Sequence, residues 1–72
     1  MSYGKERVYK KVELIGVASE SIEAAINVAI KRTDQSVERL SWFEVEKIHG
    51  HVGDDGKVAE YQVLLKASFE VK

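Results

Sequence analysis

Three stretches of the chain alternate apolar and polar residues with a period near two, and one repeats with the period of a helix. From Arg7 to Ile15 the residues are rich in strand formers. Val8, Val12 and Leu14 share one face, and Tyr9, Lys11, Glu13 and Ile15 share the other. Gly16 is expected to close this strand. Ile22, Ala25, Ile26, Ala29 and Ile30 then stand at i, i+3, i+4, i+7 and i+8, the apolar stripe of an amphipathic helix. Ser19 is the expected N-cap, with Glu20 and Glu23 in the first turns, where the helix dipole favours anions. The helix is expected to end between Lys31 and Val37. The small alanines of the stripe let it lie close against a sheet.

Two further strands follow. In Leu40 to Val52 the odd positions begin apolar with Phe43 and Val45 and then become Lys47, His49 and His51. From Lys57 to Lys72 every odd position from Ala59 to Val71 is apolar, which makes this the clearest half-buried strand. Between them, Gly53-Asp54-Asp55-Gly56 signals a hairpin turn, with Gly56 suited to a left-handed position. The fold class is therefore α+β: one β-α-β-β domain over residues 1–72, with no internal repeat or linker.

Length and charge narrow the picture. The chain has 72 residues and no cysteine, so disulfides and cysteine-based zinc sites are excluded. Single cores below about 70–80 residues seldom supply more than about 3–5 kcal/mol, so self-assembly is the expected source of further burial. The hairpin arms cover about 13 to 15 residues, roughly 45 to 50 Å, whereas the helix spans roughly 24 Å. One helix cannot cover such a hairpin. Either the sheet curls around it or a neighbouring chain covers the rest. Eleven basic against twelve acidic residues provide no cationic field for nucleic acid. No membrane span or N-terminal signal pattern is visible, and a cytoplasmic protein is expected.

Two residues stand where water is expected. Trp42 neighbours core-facing Phe43, so alternation places it on the opposite face with Glu44 and Glu46. It either fills a subunit contact or offers a rigid π face on which a flat ligand stacks. Gln62 brings an amide that can donate and accept at once to the polar face of the last strand. A three-residue Asp54-Asp55-Gly56 turn sets Gly53 opposite Lys57, which puts Trp42 opposite Ser68 and Gln62 opposite Ile48. Trp42 and Gln62 then share a face but lie near 20 Å apart at about 3.3 Å per residue. A site using both needs residues from different subunits. His49 and His51, at i and i+2, could chelate a metal, but no motif places a third ligand, and no metal site is predicted. No nucleophile–base set or glycine-rich phosphate loop is present, so the chain is not expected to be an enzyme.

The chain resembles the dodecins, small flavin-binding proteins of bacteria and archaea. The resemblance runs through Val8-Tyr9-Lys10-Lys11-Val12-Glu13-Leu14-Ile15-Gly16, Glu23-Ala24-Ala25-Ile26 and Leu40-Ser41-Trp42-Phe43-Glu44-Val45. It continues in Ile48-His49-Gly50-His51-Val52, Tyr61-Gln62-Val63-Leu64-Leu65-Lys66 and Phe69. It implies a three-stranded antiparallel sheet partly wrapped around one helix, and a hollow homododecamer. It also implies flavins held in pairs, each ring stacked on Trp42 and hydrogen-bonded at its polar edge by Gln62. The implied role is storage and sequestration of flavin, without turnover and with its photochemistry quenched. Some relatives carry arginines that hold a flavin phosphate or coenzyme A at the places of His49 and Glu70. The histidine and glutamate here leave riboflavin, FMN and FAD open, and make coenzyme A a possible further ligand. His49 remains a phosphate contact when protonated. The alternative is a structural or partner-binding homo-oligomer in which Trp42 only fills an interface.

Overall fold

The computed structural model describes residues 6–36 and 39–72. Strand β1 (Val8–Ala18), helix α1 (Ile22–Ser36), strand β2 (Leu40–Val52) and strand β3 (Val58–Val71) follow one another in the β-α-β-β order. The sheet order is β1-β3-β2, antiparallel throughout. The strand with the most regular alternation is thus the central one. Its odd positions face the helix, and Val63, Leu65, Ala67 and Phe69 are buried. Ala25 is fully enclosed with Val63 and Leu65, and Leu14, Ala18, Ile26, Ala29 and Ile30 pack around them.

The first strand does not stop at Gly16. It continues to Ala18, and Gly16 pairs with Val63 inside the ladder, two rungs from its end. The glycine is there for proximity: a Cβ on it would lie 2.0 Å from the carbonyl oxygen of Ala25. The small stripe of α1 and the missing side chain of Gly16 together let the helix backbone rest on β1.

The helix cap also differs from expectation. Ser21, not Ser19, caps α1: its Oγ accepts a hydrogen bond from the Ala24 N–H at 3.0 Å. Ser21 directly precedes the first helical residue, the position from which a side-chain oxygen reaches that amide. At the other end the helix reaches Ser36, and Val37, the far limit of the expected range, lies outside the described residues. The Asp34 carboxylate accepts from the Leu40 N–H at 2.9 Å, tying the last turn to the start of β2.

The hairpin closes as its sequence requires. Gly53 N–H donates to the Lys57 carbonyl at 2.8 Å, and Gly56 N–H to the Gly53 carbonyl at 3.0 Å. Gly56 has φ +81°, a conformation in which a side chain is strained. Asp55 accepts from the Lys57 N–H at 2.9 Å, the local bond that favours aspartate in turns.

The helix leaves much of the sheet bare. The chain extends 54 Å along its longest axis, whereas the 15-residue helix spans about 22 Å. On β2, Phe43, Val45 and Ile48 point to the helix side yet stay 40–51% exposed. No helix among the described residues is long and apolar enough to cross a membrane.

Candidate functional site

The face of the sheet away from α1 carries the candidate residues. Trp42 stands on β2 opposite Ser68 of β3, as the turn arithmetic predicts, and is 47% exposed. Gln62 is half-buried at the other end of β3. Its partner on β2 is His49, not Ile48. The ladder slips first between Val52–Val58 and His51–Glu60, where Ala59 is the extra residue of β3, and slips back between Val45 and Lys47, where Glu46 is the extra residue of β2. This second shift keeps Ile48 on the helix side, in line with Phe43 and Val45, and turns Lys47, His49 and His51 to the face of Trp42. It also explains why the odd positions of β2 change from apolar to polar halfway along.

The structure therefore brings His49 and Gln62 to one rung, with His51 opposite Glu60 on a neighbouring rung of the same face. Gln62 Nε2 donates to Glu60 Oε2 at 2.9 Å, which fixes the orientation of the amide. Trp42 is not part of this cluster. Six residues of β3 separate its rung from that of Gln62, about 20 Å. Recesses of about 340 and 210 Å³ lie elsewhere. The larger is walled by Leu14, Gly16, Ala29 and Arg32, and the smaller by Arg39, Ser41, Glu70 and Lys72. Trp42 lines neither of them. Among the described residues no three histidine, aspartate or glutamate side chains group as metal ligands.

Around Trp42 the structure adds residues that pattern alone does not single out. The Tyr9 ring centroid lies 4.5 Å from that of the indole, with the planes tilted by 53°. The Arg7 guanidinium lies over the Tyr9 ring, 5.9 Å from its centroid. Lys11 of β1 pairs with Glu44 of β2 across the central strand, and Lys66 meets Glu46 at 3.5 Å. The hydrogen bond from Lys11 and its charge hold the Glu44 carboxyl below the ordinary glutamate range, with Lys66 adding to the effect against slight desolvation. The only signal for Tyr9 was its place on the polar side of β1. Its partner lies two strands away, which no spacing within the sequence expresses.

An exposed indole can grip the face of a flat, aromatic molecule and a carboxamide can meet a polar rim, but a separation of about 20 Å keeps Trp42 and Gln62 of one chain from sharing a small ligand. The family described as Dodecin matches residues 8–72. The chain is 47% identical over 66 residues to a dodecin of Thermus thermophilus, covering 92% of this chain and 94% of the relative. It superposes on a crystal structure of a Thermus thermophilus protein with a TM-score of 0.86 at 46% identity, over 93% of this chain and 97% of the other. A dodecin from Streptomyces davaonensis gives a TM-score of 0.87 at 31% identity, over 94% and 98% of the two chains.

Proposed function

The chain belongs to the dodecin family, and from that premise we propose that it is a non-enzymatic flavin-binding protein that stores and sequesters flavin as a homododecamer. The observation that carries this reading is the half-exposed indole of Trp42, set among Lys11, Glu44 and Lys66 on the sheet face away from the helix. The isoalloxazine ring stacks on that indole. The carboxamide of Gln62, oriented by Glu60, hydrogen-bonds the ring's polar edge. Because about 20 Å separate Trp42 from Gln62 along β3, the two reach one ring only from different chains. The bare helix-side residues of β2, Phe43, Val45 and Ile48, supply apolar area for the contacts between chains.

Bound flavin supplies light absorption and the polar ring edge, and the protein's part is to hold and quench it. Electron transfer from a close-stacked indole to the excited ring, followed by return of the electron to the indole, would restore both to their ground states before the ring reacts. His49, beside Gln62, meets the tail of the ligand and contacts a phosphate when protonated. The ring common to riboflavin, FMN and FAD is the recognised element, and coenzyme A is a further ligand to test. A cytoplasmic setting belongs to the same reading.

Flavin titration followed by fluorescence tests it. The wild-type protein is expected to bind riboflavin with strong quenching and Trp42→Ala to lose most of its affinity. Gln62→Ala should weaken binding by about tenfold, the worth of one hydrogen bond, with the assembly unchanged. Equal binding by wild type and Trp42→Ala removes the stacking mechanism. Absence of binding to either favours a structural oligomer in which Trp42 fills an interface.

A further inference from the structure

Tyr9 and Trp42 meet although their strands do not touch. Tyr9 is opposite Glu70 and Trp42 opposite Ser68, and β3 runs between them. Strands pair about 4.8 Å apart, so β1 and β2 stand roughly 10 Å from each other. Their side chains come together only by leaning inward over the central strand. Ser68 makes the room. It is 1% exposed and stands opposite Lys11 on β1 and Trp42 on β2, the members of the ion pair and of the ring pair nearest to it in the ladder. Its Oγ has no hydrogen-bond partner among the described residues, so it serves this arrangement through its small size.

We propose that Tyr9 is a positioning residue for the ring platform: it braces one side of the Trp42 indole, with Ser68 as the seat, and leaves the other side presented to a flat ligand. The inference rests on the reading that Trp42 stacks a flavin ring. A tilted aromatic pair at this separation is favoured by the opposed charge of ring edge and ring face. An indole held in one rotamer before the ligand arrives needs no ordering on binding, which raises affinity without any contact between Tyr9 and the ligand. The Arg7 guanidinium over Tyr9 extends the stack and steadies it from behind.

Trp42 is the sole tryptophan, so its emission reports on this site alone. The test measures riboflavin affinity and the ligand-free emission anisotropy of Trp42 in assembled wild type, Tyr9→Phe and Tyr9→Thr. Tyr9→Phe keeps the ring and should match wild type in both. Tyr9→Thr should bind riboflavin about tenfold more weakly and show lower anisotropy. If Tyr9→Thr does not assemble, Ser68→Val, which lifts the ring pair off its seat, takes its place with the same expectations. Unchanged affinity and anisotropy in the variant would overturn the proposal. If wild type binds no riboflavin, the flavin reading falls and the anisotropy comparison alone decides the bracing: a drop upholds it, and no change overturns it.

Discussion

The two edge strands of this sheet treat the same central strand differently. β1 pairs with β3 from Val8–Val71 to Ala18–Tyr61 without a shift, and the helix lies on it through Gly16. β2 pairs with the other edge of β3 with three register shifts, and its apolar side chains stay half-exposed. The first pairing is regular and carries the helix, although Val8, Ile15 and Val17 of β1 are also exposed. The second is irregular and incompletely covered, and it carries Trp42 and His49. Irregularity in β2 is what turns particular side chains to particular faces, because each extra residue reverses the alternation beyond it.

The contrast makes its strongest prediction at Gly16. Gly16→Ala puts a methyl group against the Ala25 carbonyl, so the helix must lift from β1. The expected loss is about 3 kcal/mol or more, read as a large fall in the thermal midpoint. A midpoint near wild type would show that the helix is not seated on this glycine. Ile48→Lys tests the other half. Ile48 is 51% exposed, so the cost within one chain should stay below about 1 kcal/mol. Assembly, by contrast, should be lost in sedimentation while the circular dichroism of the fold persists. A variant that still assembles at wild-type size would show that the helix side of β2 is not an interface.

The smallest effect expected joins the two edges. Lys11 on β1 lowers the pKa of Glu44 on β2, chiefly through their hydrogen bond. A carboxyl with a lowered folded pKa stabilises the protein fully above its unfolded value, about 4.3, and loses that contribution as pH falls through the lowered one. Lys11→Met should therefore be slightly less stable than wild type at neutral pH, with the gap closing in acid. A gap that stays constant down to acid pH would show that the pair does not couple the edges. Because both side chains are about half exposed, salt should shrink the same gap.

Much of the fold is legible in single elements. The unbroken alternation of β3 marks it as the half-buried strand, and the Ile and Ala spacing gives the apolar side of the helix. The turn residues predict the Trp42–Ser68 pairing, which holds because the shifts at Ala59 and Glu46 cancel. Gly16 and Ser19 mislead for local reasons: a glycine in a strand looks like an end until a helix backbone is seen against it, and two nearby serines both suit a cap. The partner of Gln62 was misplaced by one residue because the ladder slips between Val52–Val58 and His51–Glu60, with Ala59 extra on β3, and slips back at Glu46. Only the change of apolar parity after Val45 hints at the second slip.

The sequence by itself determined the element order, the apolar faces of α1 and β3, and an indole set among charged residues. Those follow from periodicity and turn chemistry, which act over a few residues. The tertiary structure decided which residues stand together across the strands: His49 with Gln62 after the shift, and Tyr9 with Trp42 above Ser68. Such pairings join residues 13 and 33 apart in the chain. Each depends on every register shift between them and on side chains small enough to be crossed, which no local pattern encodes.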